Sequence, residues 1–203
     1  QDSFQSYLPA FELAVANLSV GGGQSASVMS SFSHVNGIHM ANHKQLLQQI
    51  LRNQFGFKGF VVTDWDSINH FEQDGNYELL SNGTWKKQSC MNQSLCHSLW
   101  VQRAATSLLA GTDMDLRGGY EYLPAAVAAG YLTESDIDKS VRRILQVSFR
   151  LGRFDPPEIV PYSNLSISCI GCQQHRQIAL EAALSAIVLV ENHDLPIIDV
   201  GAQ

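Results

Sequence analysis

The sequence predicts an α/β fold, either an open doubly wound sheet or part of a barrel, on three observations. Short β-prone runs alternate with helical periods along most of its 203 residues. The run Gly59-Phe60-Val61-Val62-Thr63 is β-prone without a break, the pattern of a parallel strand covered on both faces. About three such strands precede a proline-containing linker, whereas a closed barrel needs eight, so the sheet cannot close and the chain reads as the last part of a barrel.

Each element has its own signal. Phe4, Leu8, Phe11, Val15 and Leu18 recur at helical spacing, interrupted early by Pro9, and predict an amphipathic helix over about 4–17. After Gly21-Gly22-Gly23, the run Ser27 to Phe32 is a strand, bounded on its far side by Asn36-Gly37. Asn42 stands as N-cap to a helix with Leu46, Leu47, Ile50, Leu51 and Phe55 on one face, closed by Gly56. The strand 59–63 follows. Residues 69–97 keep no sustained period and read as a long surface excursion, the kind that is functional or decorated. A helix over 98–109, a strand over 112–116 and a helix over about 120–129 continue the alternation. Thr133 opens the best helix, with Asp136 placed as in a capping box and Ile137, Val141, Ile144, Leu145 and Phe149 on one face, ending at Gly152. From Asp155-Pro156-Pro157 a linker reaches about Gln173; an Ala-rich helix then leads to Ile187-Val188-Leu189-Val190, the start of a new β/α unit.

Composition narrows the function. Thirteen Lys+Arg against 19 Asp+Glu give a net charge of −6, which repels a phosphate backbone and argues against nucleic acid as a partner. The longest nearly unbroken apolar run, Ala182 to Val190, falls far short of the roughly 20 residues of a membrane span. The chain opens at Gln1 without a leader, which reads as a piece of something longer. Four Asn-x-Ser/Thr sequons, at Asn17, Asn82, Asn92 and Asn164, exceed the one or so expected by chance and suggest a secreted glycoprotein. The cysteines form two close pairs, Cys90 with Cys96 and Cys169 with Cys172; either could close a small disulfide loop, and four cysteines allow three connectivities. A zinc site built from all four is disfavoured by their irregular spacing.

The sharpest chemical feature is Val61-Val62-Thr63-Asp64-Trp65-Asp66, a buried strand delivering a carboxylate and an indole at its C-terminal end. That end of a barrel strand is where active sites sit. An ionised Asp there can attack a sugar, and the Trp beside it offers a flat face to a pyranose. Read alone, Asp64 is more simply a cap of the next helix, and the context of the surrounding blocks decides. His34, His39 and His43 straddle a turn without a matching carboxylate, so no metal is assigned. Asp113 and Asp115 lie on one face of a short strand, a pattern shared with cation sites. Asp66 reads as a loop residue, and Arg142-Arg143 as the solvated side of its helix, paired with Asp138 or Glu134.

Several ordered blocks resemble glycoside hydrolase family 3: Tyr7-Leu8-Pro9-Ala10-Phe11, Val28 to Gly37, Leu51 to Trp65, Ala110 to Leu116, Ser140 to Leu145, Leu151 to Pro156, and His175 with Ala179 to Asn192. The resemblance spans nearly the whole chain outside 77–96 and implies the C-terminal portion of a (β/α)8 barrel domain (1–154), an interdomain linker (155–173) and the truncated start of an α/β sandwich domain (174–203). It implies a retaining, exo-acting β-glycosidase of β-D-glucosides or β-D-xylosides, with Asp64 as nucleophile, Trp65, Met29 and Phe32 as substrate-binding residues, and an acid/base carboxylate outside this chain. Where the family places a tyrosine whose hydroxyl reaches the nucleophile, this sequence has Phe32-Ser33. That departure keeps open a catalytically inactive carbohydrate-binding or structural relic as the alternative. The Leu151 to Tyr162-Ser163 spacing with Cys172 and His175 resembles the xylosidase branch, and Asp64-Trp65 the glucosidase branch. The implied partner is a carbohydrate, with no cofactor and no metal; the implied location is extracellular or within the secretory pathway. Activity is expected to need the N- and C-terminal parts absent from this chain, and nothing in the sequence sets an oligomeric state.

Overall fold

The computed structural model describes residues 3–17, 19, 21–68, 76–79, 85–88 and 93–191. In chain order its strands are β1 (Ser27–Ser30), β2 (His34–Val35), β3 (Ile38–His39), β4 (Phe60–Thr63), β5 (Asn76–Leu79) and β6 (Trp85–Gln88). Its principal helices are α1 (Leu8–Val15), α2 (Gln45–Gln54, wound with π-type geometry), α3 (Gln93–Ala110), α4 (Leu123–Ala128), α5 (Glu134–Arg150) and α6 (Gln173–Ala186). The chain divides into two compact units, Gln1–Phe154 and Asp155–Gln203.

In the first unit β1 and β4 pair in parallel, Val28 opposite Val61 and Ser30 opposite Thr63. Met114 joins the far side of β4 by one parallel bridge to Val62, so the predicted strand over 112–116 contracts to that single contact. Glycine sets the close approach of the first pair: a Cβ at Gly59 would collide with the Ala26 carbonyl that accepts the Phe60 N–H. Strand alternation sends Val28 and Val61 to one face, where Val15, Leu47, Leu51 and Phe57 cover them. The other face carries Met29, 58% exposed, and Val62. The covering predicted on both faces is therefore present on one. A second core forms where Val101, Ala104, Ala105 and Leu108 of α3 pack on Leu123, Ala126 and Leu132.

Several local expectations are corrected. Asn42 does not cap α2; His43 Nδ1 accepts the Leu46 N–H, while the Asn42 side chain accepts from Ser107 at 2.6 Å. The apolar face of α1 is mostly uncovered, with Phe11 55% exposed and only Val15 buried. The excursion contains an antiparallel pair, β5 with β6, in register from Asn76–Gln88 to Leu79–Trp85. On α5 the covered stripe runs through Ser140 and Val147, with Val141, Leu145 and Phe149 exposed, so the helix is rotated from the face that its apolar residues suggest.

The second unit holds three short 3₁₀ turns and α6. Residues 187–190 are exposed and form no strand. Cys169 and Cys172 are free thiols in one turn, so the predicted loop between them is not closed. Asn164 is exposed, as is Asn17, whose side chain accepts the Ser19 N–H. Cys90, Asn82 and Asn92 lie outside the described residues, as does the side chain of Cys96. No helix among the described residues is long and apolar enough to cross a membrane.

Candidate active site

Asp64 is the first residue past β4. Its N–H donates to the Ser30 carbonyl at 2.9 Å, which extends the β1–β4 pairing by one step and fixes the backbone that bears the carboxylate. The carboxylate is half-buried, and its Oδ1 accepts the Trp65 N–H at 2.7 Å. The chain then turns back at once: Ser67 N–H donates to the Asp64 carbonyl, and Asp66 takes a left-handed conformation with φ +63°, tolerable for Asp in a tight turn. Asp66 is therefore a turn residue, in keeping with its reading from sequence.

Around this strand end the apolar groups are open to solvent. Trp65 is 58% exposed with its ring under the Arg117 guanidinium at 5.5 Å, a contact that the sequence did not suggest. Met29 lies on the open face of the sheet, and Phe32, 40% exposed, follows β1 by two residues. The backbone pairing thus brings Asp64, Trp65 and the end of β1 to one edge of the sheet.

A second layer beneath holds that edge in place. Thr63 is fully buried; its Oγ1 donates to Asp115 at 3.1 Å and accepts the Leu116 N–H. Asp115 in turn accepts the N–H groups of Gly119 (2.7 Å) and Tyr120 (3.3 Å). Asp113 accepts Arg52 at 2.5 Å, Arg143 at 2.7 Å and the Val61 N–H at 2.8 Å. Both carboxylates are committed to protein donors, which removes the cation reading of the Asp113/Asp115 pair. The structure also overturns the solvated placement of Arg143, which turns inward to Asp113 and away from Asp138 and Glu134. A carboxylate on a helix-covered strand face requires a cation, and that requirement was the available signal for both arginines.

Burial shifts the titratable groups nearby. Desolvation lowers the Arg52 pKa against the opposing pull of Asp113. Burial, reinforced by Asp113 and Asp115, holds the Tyr120 phenol well above its ordinary value, and its OH donates to the Thr112 carbonyl at 2.6 Å. His43 is pushed down, chiefly by burial. The rings of His34 and His39 meet edge to face at 5.0 Å, and His39 Nδ1 accepts the Ala41 N–H. No group of three metal-ligating side chains gathers among the described residues.

Known proteins share this arrangement of elements. The chain is 30% identical over 194 residues, 95% of its length, to a xylan 1,4-beta-xylosidase of Xylanibacter ruminicola. It is 34% identical over 171 residues, 84% of its length, to beta-D-xylosidase 1 of Arabidopsis thaliana. It spans about a fifth of the length of each, 20% in both cases. A beta-glucosidase from Listeria innocua, solved with isofagomine, superimposes with a TM-score of 0.73 at 26% identity, over 97% of this chain and 24% of that one. Residues 1–147 match the family model described as the glycosyl hydrolase family 3 N terminal domain. The chain belongs to glycosyl hydrolase family 3.

Proposed function

We propose that the full-length protein is a retaining, exo-acting β-glycosidase that releases β-D-xylose or β-D-glucose, with Asp64 as its nucleophile. The observation that carries this reading is the half-buried Asp64 at the C-terminal end of a parallel strand, its backbone N–H donating to the Ser30 carbonyl, beside an exposed indole. Xylosidases and glucosidases among the family relatives support the two glycones. In the first step a carboxylate oxygen of Asp64 bonds to the anomeric carbon as the glycosidic C–O bond breaks, and the leaving oxygen takes a proton from an acid/base carboxylate elsewhere in the full-length protein. Water then attacks the glycosyl ester, returns the proton to that carboxylate and frees Asp64 with net retention. Trp65 and Met29 form the apolar floor, and Phe32 supplies a further ring. Residues 1–154 act as the closing part of the barrel, 155–173 as the linker and 174–203 as the opening of the second domain. Passage through the secretory pathway, with glycans on the exposed Asn17 and Asn164, fits the sequon excess.

The anomeric product of an aryl β-xyloside or β-glucoside, followed by proton NMR, tests the mechanism. The β-anomer is expected first, and Asp64→Asn is expected to lower kcat by about 10³-fold or more. The α-anomer as first product, or unchanged turnover in the variant, contradicts the proposal.

A further inference from the structure

A cavity of about 390 Å³ opens between α2 and α5, lined by Arg52, Lys58, Lys139, Arg142 and Arg143 together with Asn53. Five of the chain's 13 Lys and Arg residues converge there, against a net charge of −6 for the whole chain, and no carboxylate lines the wall. Behind the wall the charge does not balance. Arg52 and Arg143 share the single carboxylate of Asp113, whose side chain is 0% exposed, which leaves one guanidinium charge in excess. Arg52 is itself 7% exposed in its side chain and uses its terminal nitrogens on Gly59, Gly111 and Asp113, while Nε is buried without a hydrogen-bond partner. Lys139 is held at the rim by Asp136 at 2.8 Å.

Uncompensated buried positive charge is costly, and an anion that enters the cavity offsets it. We propose that this cavity binds a multiply charged tetrahedral oxyanion, a phosphate or sulfate group either free or as an ester. Guanidinium forks match the oxygen spacing of such a group, and ammonium groups add charge without demanding geometry. A dianion offsets two charges where a monocarboxylate offsets one. The cavity adjoins Gly59, the residue before β4, and Asp64 follows that strand, so at about 3.3 Å per residue the two sites stand about 16 Å apart. Binding there strengthens the scaffold under β4 without touching the reacting atoms.

The test is thermal unfolding of the full-length protein titrated with sodium phosphate, sodium sulfate or glucose 6-phosphate, each against sodium chloride at matched ionic strength. A saturable rise in Tm beyond the chloride control is expected, with sulfate equal to phosphate for a free-ion site and glucose 6-phosphate tighter for an ester site. The Lys58→Gln/Arg142→Gln double variant is expected to weaken the apparent Kd at least tenfold. Asn53→Asp, which adds a carboxylate without truncating any cation, is expected to weaken it likewise, and aryl-glycosidase activity stays within twofold in both. A rise no larger than that from chloride, or an unchanged Kd in both variants, overturns the proposal.

Discussion

Asp113 is the residue on which the first unit depends. Its carboxylate ties α2, β4 and α5 together through Arg52, the Val61 N–H and Arg143. Removing the shared carboxylate leaves both guanidinium groups uncompensated, so Asp113→Ala is expected to cost about 3–5 kcal/mol. The measurement is the urea midpoint of the full-length protein, with Arg143→Gln expected to cost less because its side chain is 27% exposed. Asp64 was legible because one apolar run ends in it and the strand geometry then determines where it stands. The Asp113 cluster was not, because its three side chains come from positions 61 residues (Arg52) and 30 residues (Arg143) apart from the shared carboxylate, and no local pattern joins them. Arg143 was further obscured because periodicity on α5 points to Val141, Leu145 and Phe149, whereas the covered stripe holds Ser140 and Val147.

Among the elements, the N-terminus of α5 follows its local chemistry. Thr133 N–H and Oγ1 both donate to one oxygen of Asp136, at 3.0 and 2.7 Å, and Lys139 holds the other. These bonds, led by Lys139 and then Thr133, lower the Asp136 pKa from 3.8 to about 2. The folded form binds this proton more weakly than the unfolded chain does, so the stabilisation is present above pH 3.8 and is lost as pH falls to about 2. Asp136→Asn is therefore expected to lower Tm at neutral pH, with the difference from the parent closing across that acid window. A gap independent of pH from 6 to 2 would contradict the account. Local signals of this kind also placed α2, α3 and β4 in the sequence. They failed at Asn42, whose side chain is drawn off by Ser107, and over 69–97, where alternation covers only the four residues of β5 and is missing from Trp85-Lys86-Lys87-Gln88 of β6.

At the scale of the molecule, the chain spans about a fifth of its family relatives, 20% of each xylosidase compared. One face of its sheet is packed under helices, and the other, with Met29 and Val62, leads toward Asp64. An open sheet face beside a strand-end carboxylate fits a site that further segments of the full-length protein complete, and this is why the proposed chemistry belongs to that protein. The claim on which everything else turns is that Asp64 forms a covalent bond to sugar. Mass spectrometry of the full-length protein after exposure to 2-fluoro β-xyloside and 2-fluoro β-glucoside reads that bond directly. The account predicts one glycosyl label on the peptide containing Asp64, with the faster-labelling sugar identifying the glycone; a label on another carboxylate, or a folded protein that takes up neither sugar, would contradict it.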